Sequence, residues 1–198
     1  MHDLTQQLPA EPRRTKGTRS KLVALVCSVL ALGVVSTGVA VSASAAGPNH
    51  DAVAEARAAT KKFHDVSTAE NAGYSKFTDV NGVTCIGGPP GRGNMGIHYV
   101  NGALVGDGKI DVDHPEAVLY EPTSSGLQLT AVEYIVIASD WHGAQPPALF
   151  DHQFSLVAAP NRYGLPPFYA LHAWIWKTNA NGRFRPWNPD VQCPANAS

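Results

Sequence analysis

The chain has 198 residues, with 15 Lys and Arg against 16 Asp and Glu, 44% hydrophobic residues and only 16% charged ones. So low a charged fraction, with 18 glycines and 15 prolines, excludes a coiled coil, a long solvated helix or an acid-rich disordered chain. The near-neutral total carries no basic footprint for nucleic acid, and no nucleic-acid partner is expected.

The charge is unevenly spread. Arg13, Arg14, Lys16, Arg19 and Lys21 form a positive block, residues 22–41 carry no charge, and the small-residue run Ser42-Ala43-Ser44-Ala45-Ala46-Gly47 follows. Positive, then apolar, then small is the order of a secretory signal. The export peptidase needs small side chains at two subsites, which Ala43-Ser44-Ala45 supplies for a cut before Ala46 or one residue later. Residues 1–45 are therefore expected to be a secretory segment, and residues 46–198 an exported domain, secreted or held in the cell envelope. If uncleaved, residues 22–41 are long enough to anchor the domain in a membrane, which is the one membrane attachment the sequence suggests. Thr15-Lys16-Gly17 after the arginine pair departs from the twin-arginine pattern, and Ala24-Leu25-Val26 before Cys27 does not resemble a lipoprotein box.

Without the leader, ten basic residues face fourteen acidic ones, a net of −4. Cys27 goes with the leader, leaving Cys85 and Cys193 in a chain bound for an oxidising compartment, so a disulfide across 108 residues is expected. A cysteine metal site is the rival, but neither cysteine stands in a CxxC pair.

In chain order, Val53, Ala56, Thr60 and Phe63 recur at spacings of three and four and predict a helix over 49–64, with a thin, Ala-rich apolar stripe suited to a flat surface. Ser67-Thr68-Ala69-Glu70 has the form of a capping box, and Gly73 is a stop, predicting one short helical turn before Tyr74. Strands are predicted over 95–101, 117–121, 127–137 and 168–177, with a further short one at Arg183-Phe184-Arg185, all separated by Gly, Pro, Asn and Asp clusters. A helix first and strands later predict a single α+β domain, its N-terminal helix packed on a mostly antiparallel β-sheet and stapled by one disulfide.

Gly91-Arg92-Gly93-Asn94-Met95-Gly96 fits GxGxxG, but a dinucleotide site needs those glycines to close a strand and open a helix. Here a Gly/Pro run precedes and a strand pattern follows, so the segment reads as a loop beside Cys85. No GxSxG, HExxH, EF-hand or P-loop signature is present, and catalytic residues are unassigned. His114, His142 and His152 stand in loop-like stretches and read as exposed, incidental imidazoles.

Strand parity gives a sharper signal. In 127–137 one face carries Leu127, Leu129, Ala131, Glu133, Ile135 and Ile137, so Glu133 falls on the more apolar face. In 168–176, His172 shares its face with Phe168, Ala170, Trp174 and Trp176, and His98 shares one with Gly96 and Val100, which leaves space above it. A carboxylate on an apolar face needs a partner, and an imidazole can supply one. If the three strands are neighbours, His98, Glu133 and His172 converge as two imidazoles and a carboxylate. That is the ligand set of thermolysin-type zinc sites and other divalent transition-metal centres. The competing reading is a buried Glu–His hydrogen-bond pair that fixes strand register. Trp174, Trp176 and Tyr134 are candidates either for core packing or for an apolar ligand pocket over Glu133 and His172.

The stretches MGIHYVN (95–101), AVEYIVI (131–137), YGLPPFYALHAWIW (163–176) and WNPDVQC (187–193) resemble those of a group of small exported bacterial proteins of uncharacterised activity. The resemblance spans residues 66–193 and implies a single exported domain, but no ligand, reaction or site residue. Two functional expectations stand side by side. One is an exported binding or structural domain with an unidentified protein or small-molecule partner; the other is a metal-binding protein or metal-dependent enzyme using His98, Glu133 and His172.

Overall fold

The first helix, α1, runs Pro48–Thr60 and tightens into a single 3-10 turn, Lys61–His64. The structure, a computed structural model, describes residues 48–194. The expected leader and the apolar stretch at 22–41 lie outside the described residues. The predicted stripe is the buried face of α1: Ala56, Thr60 and Phe63 are buried, and Val53 packs beside them. Thr60 Oγ1 donates to the Ala56 carbonyl at 2.6 Å and accepts from Trp176 Nε1 at 3.2 Å, so a polar residue inside the stripe is satisfied.

A second short helix, α2 (Val66–Asn71), begins earlier than the capping-box reading placed it. Asp65, not Ser67, is the N-cap, and its Oδ1 accepts from both Ser67 N at 2.9 Å and Ser67 Oγ at 2.8 Å. A carboxylate at that position satisfies the orphan amide and the hydroxyl together. Gly73, at φ +93°, ends this segment as predicted.

Strands β1 (Ser75–Lys76), β2 (Cys85–Gly87), β3 (Asn94–Val100), β4 (Ala117–Thr123), β5 (Gly126–Ile137), β8 (Ser155–Val157) and β9 (Phe168–Ala173) form one antiparallel sheet among the described residues. Its order is β1-β3-β4-β5-β9-β8, with β2 also on β3. Strands β6 (Ala148–Leu149) and β7 (His152–Gln153) pair separately, and a short turn of helix, α3 (Gly102–Val105), follows β3. The architecture is the α+β one expected. Among the described residues, no helix is long and apolar enough to cross a membrane.

The sheet separates two apolar clusters. One, under α1 and α2, gathers Phe63, Tyr74, Ile97, Tyr99, Val118, Tyr120, Leu129, Val132 and Tyr134. The other gathers Met95, Val105, Ala117, Leu119, Ala131, Ile135, Phe168 and Trp174. Strict alternation placed Leu129 with Ala131 and Glu133, but Leu129 lies under the helices. The register explains the change: Leu119 pairs Ala131 while Tyr120 pairs Leu129, leaving Thr130 as the extra residue of a bulge. One inserted residue inverts strand parity. Beyond the bulge, Ala131, Glu133 and Ile135 keep the predicted face.

The last predicted strand is shorter than its pattern. β9 ends at Ala173, and both Trp176 N and Lys177 N donate to the Thr130 carbonyl at 3.0 Å, so the chain leaves the ladder at the bulge. Alternation is lost there. Arg183-Phe184-Arg185 forms no strand. It lies in a turn whose Arg183 carbonyl accepts from Trp174 N at 2.9 Å and whose Arg185 carbonyl accepts from Trp174 Nε1 at 2.6 Å.

Cys85 and Cys193 form the expected disulfide, with Cα atoms 5.7 Å apart. The tail it ties down is also held by the Asn94–Asn188 bridge, by Asn94 Nδ2 donating to the Val191 carbonyl at 2.6 Å, and by burial of Val191. A formed bridge indicates an oxidising, extracytoplasmic setting.

Candidate metal centre

Sheet register brings the three polar residues together. On β5, Glu133 is directly opposite His172 of β9 and directly opposite Ala117 of β4. His98 of β3 pairs Leu119, so it lies across β4 from Glu133 and one diagonal step along. That is roughly 10 Å of sheet, two strand spacings. The gap closes because the residue between is Ala117, which puts only a methyl group in the path of the two longer side chains.

All three side chains are buried, His98 at 2% and Glu133 and His172 at 5% relative exposure. His98 Nε2 lies 3.4 Å from Glu133 Oε2, and His172 Nδ1 lies 3.5 Å from Glu133 Oε1. One donor atom from each residue falls within 4.8 Å of the others. The imidazole rings stand edge to face, with centroids 6.1 Å apart. Neither nitrogen of His98 has a hydrogen-bond partner, nor does His172 Nε2.

The contacts to Glu133 are longer than those of a closed hydrogen-bonded pair. A charge-assisted N–H···O bond closes to about 2.7–2.9 Å. Two donors each ~2.1 Å from a tetrahedral ion stand ~3.4 Å apart. The two contacts to Glu133 are near the second value but reach different oxygens, and one donor from each residue spans up to 4.8 Å, so the side chains would draw in around an ion. His98 Nδ1 and His172 Nε2, buried without a partner, are each a cost of about 1–3 kcal/mol for a purely structural pair.

Charge follows burial and neighbours. Burial works to raise Glu133, but His172 and His98 together outweigh it and hold the carboxyl below its ordinary range. Burial, reinforced by His98, keeps His172 below its ordinary value against the pull of Glu133. The two directions pull against each other, since the lowering of Glu133 draws on a His172 charge that burial disfavours.

Two hollows flank the cluster. A cleft of about 1250 Å³ is lined by Glu133 and His172 together with Phe168, Arg183, Arg185 and Trp187. A smaller, mainly apolar hollow of about 250 Å³ is lined by His98 and Glu133 with Phe77, Val100, Val105 and Ile135. The space expected above His98 is this hollow. Glu133, Tyr163 and Phe168 border both.

The proposed aromatic pocket is not built from the residues the strand pattern suggested, because Trp174, Trp176 and Tyr134 line neither hollow. Tyr134 is buried on the helix-covered face, where its hydroxyl donates to the Val112 carbonyl at 2.8 Å. Trp176 is carried to the same side by the break after Ala173, where it meets His64 edge to face and lies under the Arg57 guanidinium. Trp174 keeps the predicted face but is buried, its indole N–H spent on Arg185. The walls come instead from Phe168 and from the 182–187 segment. The aromatic and basic composition of that segment was visible in sequence, but its position was not.

A fourth buried polar group lies nearby. Glu116 Oε2 accepts from Ile135 N at 2.8 Å, supplying a partner to a β5 amide beyond the last β4 pair. Burial pushes its carboxyl up to about 8, with the Ile135 hydrogen bond offsetting part of the rise and the charges of Asp107 and Glu133 adding to it. Between its ordinary 4.5 and about 8, the folded protein keeps a proton that the unfolded chain has released, so stability falls as pH rises through that window. Glu116→Gln keeps the acceptor and removes the ionisation. The variant should unfold like the parent in urea near about pH 5 and be more stable, by on the order of a few kcal/mol, near about pH 9. Parallel pH profiles for the two proteins would contradict this account of Glu116.

Comparison with known protein families, with curated proteins and with solved structures returns no match. The chemistry of the site is therefore argued from its own residues.

Proposed function

We propose that this chain is an exported, disulfide-stapled binding domain in which His98, Glu133 and His172 hold one divalent transition-metal ion at the foot of the large cleft. The observation that carries the reading is the convergence of the three donors within 4.8 Å, with all three residues buried and His98 Nδ1 and His172 Nε2 without partners. Two imidazoles and one carboxylate leave positions for further ligands, and Glu133 and His172 border the cleft from which those ligands would come. A bound ion would supply a Lewis acid toward an oxygen donor entering from that side. The small-residue run at 42–47 and the Cys85–Cys193 bridge support export.

The test is calorimetric titration of the purified, disulfide-bonded protein with Zn²⁺. One equivalent should bind, and His172→Ala should weaken binding by more than the roughly 10–100-fold that loss of an outer partner costs. Because imidazole must be neutral to bind, affinity should fall as pH drops below the ordinary histidine range. Equal affinity in parent and variant, or no saturable binding, would sink the reading.

A further inference from the structure

The cleft is far larger than an ion requires, and its charge is set apart from that of the domain around it. Of the fourteen acidic residues in 46–198, only Glu133 lines it, against three of the ten basic ones, Arg162, Arg183 and Arg185. Arg162 is already matched: its Nη2 and Nε lie 2.7 and 2.9 Å from Asp79 Oδ2, and its Nη1 donates to the Gly87 carbonyl at 3.2 Å. A divalent ion on Glu133 would more than cancel that carboxylate, so Arg183 and Arg185 would leave the cleft positive inside a domain of net charge −4.

The wall carrying those arginines is held in place. The Arg183 and Arg185 carbonyls both accept from Trp174, two residues past the ligand His172, and Phe184 between them stacks on Phe150 with centroids 5.4 Å apart. Phe184, Trp187, Phe168 and Tyr163 add aromatic surface to the same cleft. Guanidinium groups over an aromatic-walled space recognise a planar carboxylate by paired hydrogen bonds and by charge. A volume above the roughly 300–1,000 Å³ of ordinary ligand pockets admits more than a single ring.

We infer that the cleft takes a small aromatic carboxylic acid, whose anionic group is drawn by Arg183 and Arg185 and whose ring system lies along the Phe168, Phe184 and Trp187 wall beside the metal. This rests on the metal reading only for the charge of Glu133. The neutral amide of the same ring should be discriminated against, because it matches the shape and not the charge.

The experiment uses 2-naphthoate and 2-naphthamide as a matched pair, titrated calorimetrically into Zn²⁺-loaded protein. Naphthoate should bind at least about tenfold more tightly than the amide. The exposed double variant Arg183→Gln/Arg185→Gln keeps the backbone contacts to Trp174 and should bring the acid down to the level of the amide without lowering the unfolding temperature. Acid and amide binding alike, neither binding, or an unchanged preference in the double variant would overturn the inference. Zn²⁺ titration without organic ligand is run in parallel. Zn²⁺ binding without naphthoate preference ends the cleft assignment alone, whereas naphthoate preference without Zn²⁺ binding ends the metal reading alone.

Discussion

Glu133→Gln is expected to abolish the stabilisation that Zn²⁺ gives the parent, on top of a loss of stability in the metal-free protein. The substitution preserves volume in a buried position and removes the charge that faces the two imidazoles at 3.4 and 3.5 Å. His172 and His98 favour the charged carboxylate in the folded state, so neutralising this one partner should cost the metal-free protein stability. The ion would widen the difference. Any ligand that binds only the folded state adds about 2.7 kcal/mol at a concentration a hundred times its Kd. The parent should therefore show an unfolding free energy that rises with Zn²⁺, and the variant a flat response. A structural Glu–His pair predicts the loss in the metal-free variant alone, with no Zn²⁺ effect on either protein. Urea unfolding of both proteins with and without Zn²⁺ separates the two accounts.

Replacing Cys85 and Cys193 together by Ala should cost about 4–5 kcal/mol, the chain-entropy value for a closed loop of roughly this length. The bridge joins positions 108 residues apart, so opening it restores much of the freedom of the unfolded chain. The native tail has other anchors, since Gln192 N donates to Glu121 Oε1 at 2.8 Å and Asn188 pairs with Asn94. The folded state should therefore persist with the same sheet. None of the three metal donors lies on the tail, so the double variant should still bind Zn²⁺ while folded. A loss below about 1 kcal/mol in denaturant unfolding would contradict the entropic account.

Much of this was legible before the structure, for definite reasons. Parity put Glu133 on an apolar face because the segment beyond Thr130 is regular strand, and it put His98 and His172 at strand centres among apolar neighbours. What the sequence did not show was that Ala117 opens the path across β4, because that depends on strand order and register. Leu129 and Trp176 went to the other side of the sheet for one shared reason. Thr130 is the bulged residue, and its carbonyl takes two amides from the departing β9 segment. A bulge of this kind has no composition of its own. Asp65 was overlooked as a cap because Ser67 and Glu70 fit a familiar pattern two residues on. The short strands β2 and β8 are too brief to show a period. The arginines of the cleft were expected on a short strand with no link to the three polar residues, since only their tie to Trp174 brings them beside His172.

The metal centre itself is tested most directly by anomalous diffraction at the zinc edge from crystals of the Zn²⁺-loaded protein. The account predicts one peak about 2.0–2.2 Å from a nitrogen of His98, a nitrogen of His172 and an oxygen of Glu133. An absent peak there, or zinc bound only at other residues while these three side chains keep their present spacing, would contradict it.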